Sequence, residues 1–453
     1  MTDPVALEAG LTRELSPRQL TMIAIGGAIG TGLFLGSGIS IRLAGPAVVV
    51  SYLVGAVVAW LMTLALGQMA VRHPTAGSFG VHAALYQGSW AGYTVRWNYW
   101  LAQTIAVGEE VIASGIYARL WFPHVPLWTF VALFSAVIVA ANAMHVGAFG
   151  AFEYWFAMIK VVAIVLFILF GVALLAGVRH ANVPGAAGYA DFAPHGVGGV
   201  WLAVVMVMFS YLGTEIVAVT SGEARDPARA IPRALRITVV RLIVFYVVSM
   251  ALLMALIPWR QIGLTESPFV AVFRMAGIPG AAWLMNGVVL TAALSSINVD
   301  LYLTTRMLFS LSRGGWAPAA FGRLSRRGTP LHALAACTGG MALAVVAAAL
   351  APQNAFVLLV GIAIFGGLYV WAQIFATHLC FLWQTHGGTD APTHGRTDAR
   401  TRGLAWRYAA SAFGLVFMVA VIVTTWWVPG FRVTLLCGVP SLVVLTVLWR
   451  ITR

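Results

Sequence analysis

The chain has 453 residues, of which 60% are hydrophobic and only 9% charged, with a mean hydropathy of +0.90. A soluble domain carries about 25% charged residues, so a water-soluble globule is excluded, and the formal charge of +13 reads as membrane topology rather than as a nucleic-acid surface. The three cysteines, Cys337, Cys380 and Cys437, fall in apolar stretches, which suits packing and offers neither a disulfide framework nor a metal site.

Residues 1–19 are polar and mixed in charge. They are expected to be a cytoplasmic segment and not a cleavable signal, because the apolar stretch behind them is too long for one. Ser16-Pro17 reads as an N-cap and first helical residue. A crossing needs about 20 apolar residues. The spans then fall at 20–43, 47–71, 90–120, 126–145, 153–177, 198–223, 232–257, 279–311, 331–350, 355–383, 406–428 and 431–450. The fold class is all-α integral membrane, with twelve transmembrane helices. Trp97, Trp100, Trp121 and Trp128 sit near span ends, as interfacial aromatics do. The linker 178–197 is expected outside, 222–236 as a basic inner turn, and the Gly/Thr/His/Arg-rich stretch 384–405 as a mobile cytoplasmic loop.

Two spans are interrupted, at Gly26-Gly27-Ala28-Ile29-Gly30-Thr31-Gly32 and at Ser210-Tyr211-Leu212-Gly213-Thr214. Lipid does not tolerate unpaired backbone groups, so a membrane helix breaks only where protein or a water-filled cavity satisfies them. Broken spans at matching places in two halves point to a carrier's substrate site. Spans one to five (20–177) and six to ten (198–383) would form inverted halves of five, each opening with a broken helix. The stretch 406–453 then supplies two peripheral helices and a short tail. Arginines crowd the loops of one side, among them Arg13, Arg72, Arg233, Arg236, Arg313, Arg323 and Arg407, against Arg179, Arg260 and Arg274 on the other. The positive-inside rule makes the crowded side cytoplasmic, with both termini there and anionic lipid nearby.

The stretches Ile25-Gly26-Gly27-Ala28-Ile29-Gly30-Thr31-Gly32-Leu33-Phe34, Phe209-Ser210-Tyr211-Leu212-Gly213-Thr214-Glu215, Gly222-Glu223-Ala224-Arg225-Asp226-Pro227 and Thr305-Arg306-Met307-Leu308-Phe309 occur in this order. Together they resemble the signatures of bacterial amino acid permeases of the amino acid–polyamine–organocation superfamily, from about residue 12 to 383. The resemblance implies a twelve-helix fold with a five-plus-five inverted repeat, a bacterial cytoplasmic-membrane location and proton-coupled import of L-amino acids.

An amino acid brings a carboxylate and an ammonium, and burying either unpaired is costly. The helix start after the first break offers free N–H groups and a positive dipole end, so Gly30, Thr31 and Gly32 are placed for the carboxylate. The ammonium would meet freed carbonyls near Ala28 and Ile29, and near Phe209, Ser210 and Leu212. Close helix packing is the other use of such glycines. Phe209, Tyr211 and Thr214 would shape the side-chain pocket; relatives often have a glutamine where Tyr211 stands, and simple packing of that ring is an equal alternative.

Lys160 is the only lysine. It lies in a stretch that resembles the family's fifth-helix motif, where a lysine takes the place of a coupling cation against the broken helix; snorkelling to the surface is the alternative. Glu110 matches the family's glutamate and is a candidate for proton carriage or substrate contact. Glu109 is extra to that pattern, a partner for Lys160 or Arg96 or a buried acid. Glu215 either braces the second break or joins the proton path. Glu223 and Asp226 would pair with Arg225 or Arg229 as an inner gate. By the resemblance, Ser295, Ser296 and Asn298 lie near the first break and Lys160. Asp300 is unusual inside a span and would favour a cationic substrate. No metal spacing, nucleotide motif or catalytic constellation is present in the sequence, so the expectation is no cofactor and no enzyme: a proton-driven carrier of neutral or aromatic amino acids. Alternatives are an exchanger, a cationic substrate, or a membrane sensor on a transporter-like fold.

Overall fold

The computed structural model describes residues 22, 25–75, 77–144, 149–177, 184–219, 227–263, 265–278, 280–325, 329–386 and 399–451, and among them every regular element is a helix. The first span becomes α1 (25–28), α2 (Thr31–Phe34) and α3 (Gly36–Ala44). There follow α4 (Val48–Arg72), α5 (Ser78–Tyr86), α6 (Ser89–Ala118), α7 (Leu127–Met144) and α8 (Phe149–Leu175). The sixth span becomes α9 (Gly196–Tyr211) and α10 (Ile216–Val219). After it come α11 (Pro227–Leu256), α12 (Pro268–Met275), α13 (Ala281–Arg313), α14 (Leu331–Cys337), α15 (Gly339–Leu350), α16 (Ala355–His386), α17 (Ala399–Thr424) and α18 (Arg432–Ile451).

Eight helical segments among the described residues are long and apolar enough to cross a membrane. Ile25–Phe34, Leu127–Ala143 and Gly196–Tyr211 are apolar but shorter, and two of these three are the interrupted spans. The 30-residue α6 carries Arg96, Glu109 and Glu110 and is not among the eight. The chain is a multi-pass integral membrane protein. Its outer faces are apolar: Trp155, Ile159, Val162, Leu166 and Leu169 recur along α8 at helical spacing and are all exposed. In water such a stripe would be a liability; in lipid it is the expected surface.

Two helices were not foreseen. α5 fills the turn between the second and third spans, and α12 precedes α13. α12 had a readable start, because the Ser267 hydroxyl accepts from the Phe269 N–H at 3.3 Å with Pro268 as the first helical residue. The stretch 384–405 is helical at both ends, since α16 runs to His386 and α17 begins at Ala399; the residues between lie outside the described set. So do the N-terminal segment 1–19 with its Ser16-Pro17 cap, and the expected ion pairs of Glu223 and Asp226.

The site is positioned by four packing relations. α3 lies along α9 with α2 beside it, and α6 packs on α16, α13 and α15. α8 lies against α13 and α11, and α11 lies along α4. The two broken spans therefore face each other, with α6, α8, α11, α13 and α16 around them.

Candidate functional site

The first break is local. Ile29 N–H still reaches the Ile25 carbonyl at 3.0 Å, the chain bends at Ile29–Gly30, and helix resumes at Thr31 with no side-chain cap. The N–H groups that open a helix have no acceptor inside it, and those of α2 begin where Thr31 and Gly32 line a cavity. The second break follows Tyr211. Leu212 turns to an extended conformation (ψ 150°) and Gly213 takes φ +95°, a left-handed region open mainly to glycine. A Cβ on Gly213 would stand 3.0 Å from the Gly27 carbonyl oxygen, so the two breaks touch backbone to backbone. Gly32 makes the second close approach, since a Cβ there would stand 3.0 Å from the Ser210 Cα.

Freed carbonyls of the first break are held by side chains from four other helices. Lys160 on α8 donates from Nζ to the Gly26 carbonyl at 2.5 Å and to Ser296 Oγ at 3.0 Å. Ser296 on α13 lies 3.3 Å from both the Gly26 and Ile29 carbonyl oxygens. Tyr246 on α11 donates to the Ala28 carbonyl at 2.7 Å, and Ser210 on α9 to the Gly32 carbonyl at 2.9 Å. An unpaired carbonyl in lipid costs several kcal/mol, so these donors are what allows the helix to open here. Lys160 is fully buried; it does not snorkel.

Between the breaks lies a small cavity of about 50 Å³. Its floor is Gly27, Ala28, Gly30, Thr31 and Gly32 from the first break, with Phe209, Ser210, Leu212 and Gly213 from the second. α6 contributes Ala102, Gln103, Ala106 and Glu110, α13 contributes Asp300, and α16 contributes Ala363 and Gly367. The dipole ends of the broken helices place positive potential at Thr31–Gly32 and negative potential at the end of α9. Two carboxylates, Glu110 and Asp300, join the wall, and Asp300 Oδ1 accepts from Gln103 Nε2 at 3.4 Å. One region thus offers N–H donors and another the carboxyl groups of Glu110 and Asp300.

Of the residues expected from sequence, Ala28, Gly30, Thr31, Gly32, Phe209, Ser210, Leu212 and Glu110 all line this cavity. Ile29 is buried behind it. Tyr211 does not line it: the ring packs against Tyr52 and Tyr246, and its hydroxyl donates to the Tyr52 carbonyl at 3.2 Å. Thr214 also turns inward, donating to the Tyr211 carbonyl at 3.1 Å. Both follow from the break itself, which leaves carbonyls nearby for short hydroxyls and puts Tyr211 on the far side of α9. Glu215 braces the second break, its Oε2 accepting from the Gly213 N–H at 3.0 Å and Trp371 Nε1 at 3.1 Å. Glu109 is fully buried and accepts from Thr31 Oγ1 at 2.7 Å. Asn298 faces α7, where Asn142 Nδ2 donates to it at 2.8 Å.

Sequence reasoning missed Gln103, Tyr246 and Trp371. Gln103 had a signal, because Gln103, Ala106 and Glu110 recur at spacings of three and four along one face of α6. Tyr246 and Trp371 had none; each is an aromatic residue in an apolar helix whose partner is set only by packing.

The amino acid permease family model matches residues 19–451. The gamma-aminobutyric acid permease of Bacillus subtilis (strain 168) is 43% identical over 358 residues, covering 78% of this chain and 76% of the relative. The uncharacterized amino acid permease YtnA of the same organism is 40% identical over 376 residues, 82% of this chain and 81% of the relative. The aromatic amino acid transport protein AroP of Escherichia coli (strain K12) is 37% identical over 433 residues, 94% of this chain and 92% of the relative.

Proposed function

The chain belongs to the amino acid permease family, a transporter family and not an enzyme family, and from that premise we propose that it imports L-amino acids together with protons, by alternating access around the cavity between the two breaks. The fold in this reading has twelve transmembrane helices. Two inverted halves, α1–α8 and α9–α16, are followed by peripheral α17 and α18. The chain lies in the bacterial cytoplasmic membrane with both termini inside, a placement supported by the arginine-rich loops on one side.

One observation carries the coupling. The only lysine of the chain is fully buried and spans from α8 to the Gly26 carbonyl of the broken helix. Its ammonium occupies the position that a metal cation would need in order to hold that carbonyl. When Lys160 gives up its proton, the carbonyl loses a charged donor and the tie between α8 and α1 weakens, which links proton release to movement of the first span. Glu110, on the cavity wall, and Glu109, on Thr31, are the acids through which a proton reaches this region; Glu215 holds the second break in shape.

The substrate carboxylate rests on the N–H groups of Gly30, Thr31 and Gly32. Ala28 and Ile29 carbonyls already accept from Tyr246 and Ser296, so the ammonium is met chiefly by Glu110 and by the carbonyl end of α9 at Phe209, Ser210 and Leu212. The Phe209 ring and the small residues Ala102, Ala106, Ala363 and Gly367 suit a neutral or aromatic side chain, the substrate type in AroP's name. A second reading is favoured by Asp300: a carboxylate on the cavity wall beside Glu110 suits a substrate with an extra positive charge.

The test is uptake of labelled L-phenylalanine, gamma-aminobutyric acid and L-lysine into proteoliposomes, with and without an inward proton gradient. Concentrative uptake of phenylalanine that a protonophore collapses supports the proposal. Concentration of lysine alone selects the cationic reading. Uptake only into preloaded vesicles, indifferent to the gradient, refutes proton coupling.

A further inference from the structure

A second cleft lies away from the cavity, between α4, α11, α16 and α17. It has a volume of about 580 Å³, and its chemistry changes along its length. Arg72 closes α4, while Arg236 of α11 and Arg407 of α17 lie in the first two turns of the apolar spans Ile231–Leu256 and Gly403–Thr424; all three are exposed. Further along α4 the wall is Trp60, Leu64 and Val71, with Leu235 and Phe381 opposite. From Arg72 to Trp60 is twelve residues of helix, or about 18 Å. The arginines have no carboxylate partner among the described residues. Exposed Arg260 and Arg274, by contrast, pair with Asp191 and Glu266.

Three cations with no carboxylate partner among the described residues thus stand beside an apolar wall. Leu64 and Val71 are each 37% exposed, so the apolar wall is open to whatever fills the cleft, and in a membrane that is lipid. A free anion would use the arginines and leave the apolar length idle, while a neutral lipid would use the apolar length and leave the charges unmatched. Only an amphiphile with an anionic head uses both. We propose that this cleft binds one anionic phospholipid, its phosphate held by Arg72, Arg236 and Arg407 and its acyl chains lying along Trp60, Leu64 and Phe381. Guanidinium groups suit the phosphate because they present paired donors to its oxygens. Cationic residues at a membrane surface strengthen anionic-lipid binding by about fivefold each.

The experiment is native mass spectrometry of the full-length protein released from mild detergent, titrated with phosphatidylglycerol or with phosphatidylcholine. The expected result is one saturable phosphatidylglycerol adduct per chain, with phosphatidylcholine much weaker. The triple variant Arg72→Gln, Arg236→Gln, Arg407→Gln weakens it on the order of a hundredfold, while Arg323→Gln leaves it unchanged. Leu64→Trp, which fills the apolar wall and keeps every charge, also weakens it, and millimolar inorganic phosphate does not displace it. Wild-type elution on size exclusion certifies folding of each variant. Equal binding of the two lipids, or a triple variant that retains phosphatidylglycerol at wild-type affinity, overturns the proposal. Displacement by phosphate with no effect of Leu64→Trp also overturns it, in favour of a bare anion site.

Discussion

Gly213→Ala tests whether the contact between the two breaks is essential to transport. Gly213 has φ +95°, and a Cβ there would lie 3.0 Å from the Gly27 carbonyl oxygen, 3.1 Å from the Ala28 Cα and 3.2 Å from the Gly27 carbonyl carbon. Holding a residue other than glycine in such a conformation costs about 1–3 kcal/mol, and the neighbours are backbone atoms that cannot swing aside as a flexible side chain would. Taking about 3 kcal/mol for strain and contact together, the conformation with both breaks in register loses roughly 150-fold in population at about 1.4 kcal/mol per tenfold. If that conformation is obligatory in the cycle, the maximal uptake rate falls by up to about two orders of magnitude. The assay is initial-rate uptake in proteoliposomes of matched protein content. Gly198→Ala is the control, lying in α9, the helix before the break, with nothing within 4 Å of its added Cβ; helix propensity alone makes it neutral or slightly stabilising. A Gly213→Ala protein with uptake rate and substrate affinity within about twofold of wild type would refute the view that close contact of the breaks shapes the site.

Further outcomes follow from the same geometry. Lys160→Ala is expected to abolish pH-gradient-driven accumulation while retaining counterflow between preloaded vesicles; it removes a charged hydrogen bond worth about 1.5–3 kcal/mol, and full retention of accumulation would sink the coupling role. Glu110→Gln should cut uptake on the order of tenfold or more, the scale of a lost charged contact. Glu109→Gln should do less, since an amide oxygen still accepts from Thr31, and the reverse ranking would place the proton on Glu109 instead. His82, on α5 outside the candidate spans, donates from Nε2 to the His73 carbonyl at 3.0 Å, because a carbonyl only accepts. Burial pushes the His82 pKa down to about 4, so between about pH 4 and the usual 6.5 the unfolded chain binds more protons than the folded one. Stability therefore rises with pH across that window, is fully present above it, and is lost as pH falls, by at most about 3 kcal/mol. Thermal melts at several pH values check this: His82→Gln should flatten the dependence, and an unchanged profile would assign it to other groups.

Most of the site was legible because a membrane makes backbone breaks expensive. Glycines clustered inside otherwise continuous apolar spans mark the two openings, and eight of the cavity-lining residues follow from their position in those stretches. Glu110 was legible as a carboxylate in mid-span. Tyr211 was not, because rotation of α9 about its own axis decides whether the ring meets the cavity or Tyr52 and Tyr246, and every position of a nearly all-apolar helix looks alike in sequence. The same holds for α16, whose Ala363 and Gly367 line the cavity although nothing in their type sets them apart.

The sequence by itself determined the apolar solvent and the two breaks, because each depends on local composition: apolar length against bilayer thickness, and glycine against helix continuity. Only the tertiary structure decided which donors satisfy the opened helix. Lys160, Ser296, Tyr246 and Ser210 come from four different helices to four carbonyls of one short segment. Hydrogen bonds are short-ranged and directional, so such a convergence exists only once the helices have packed.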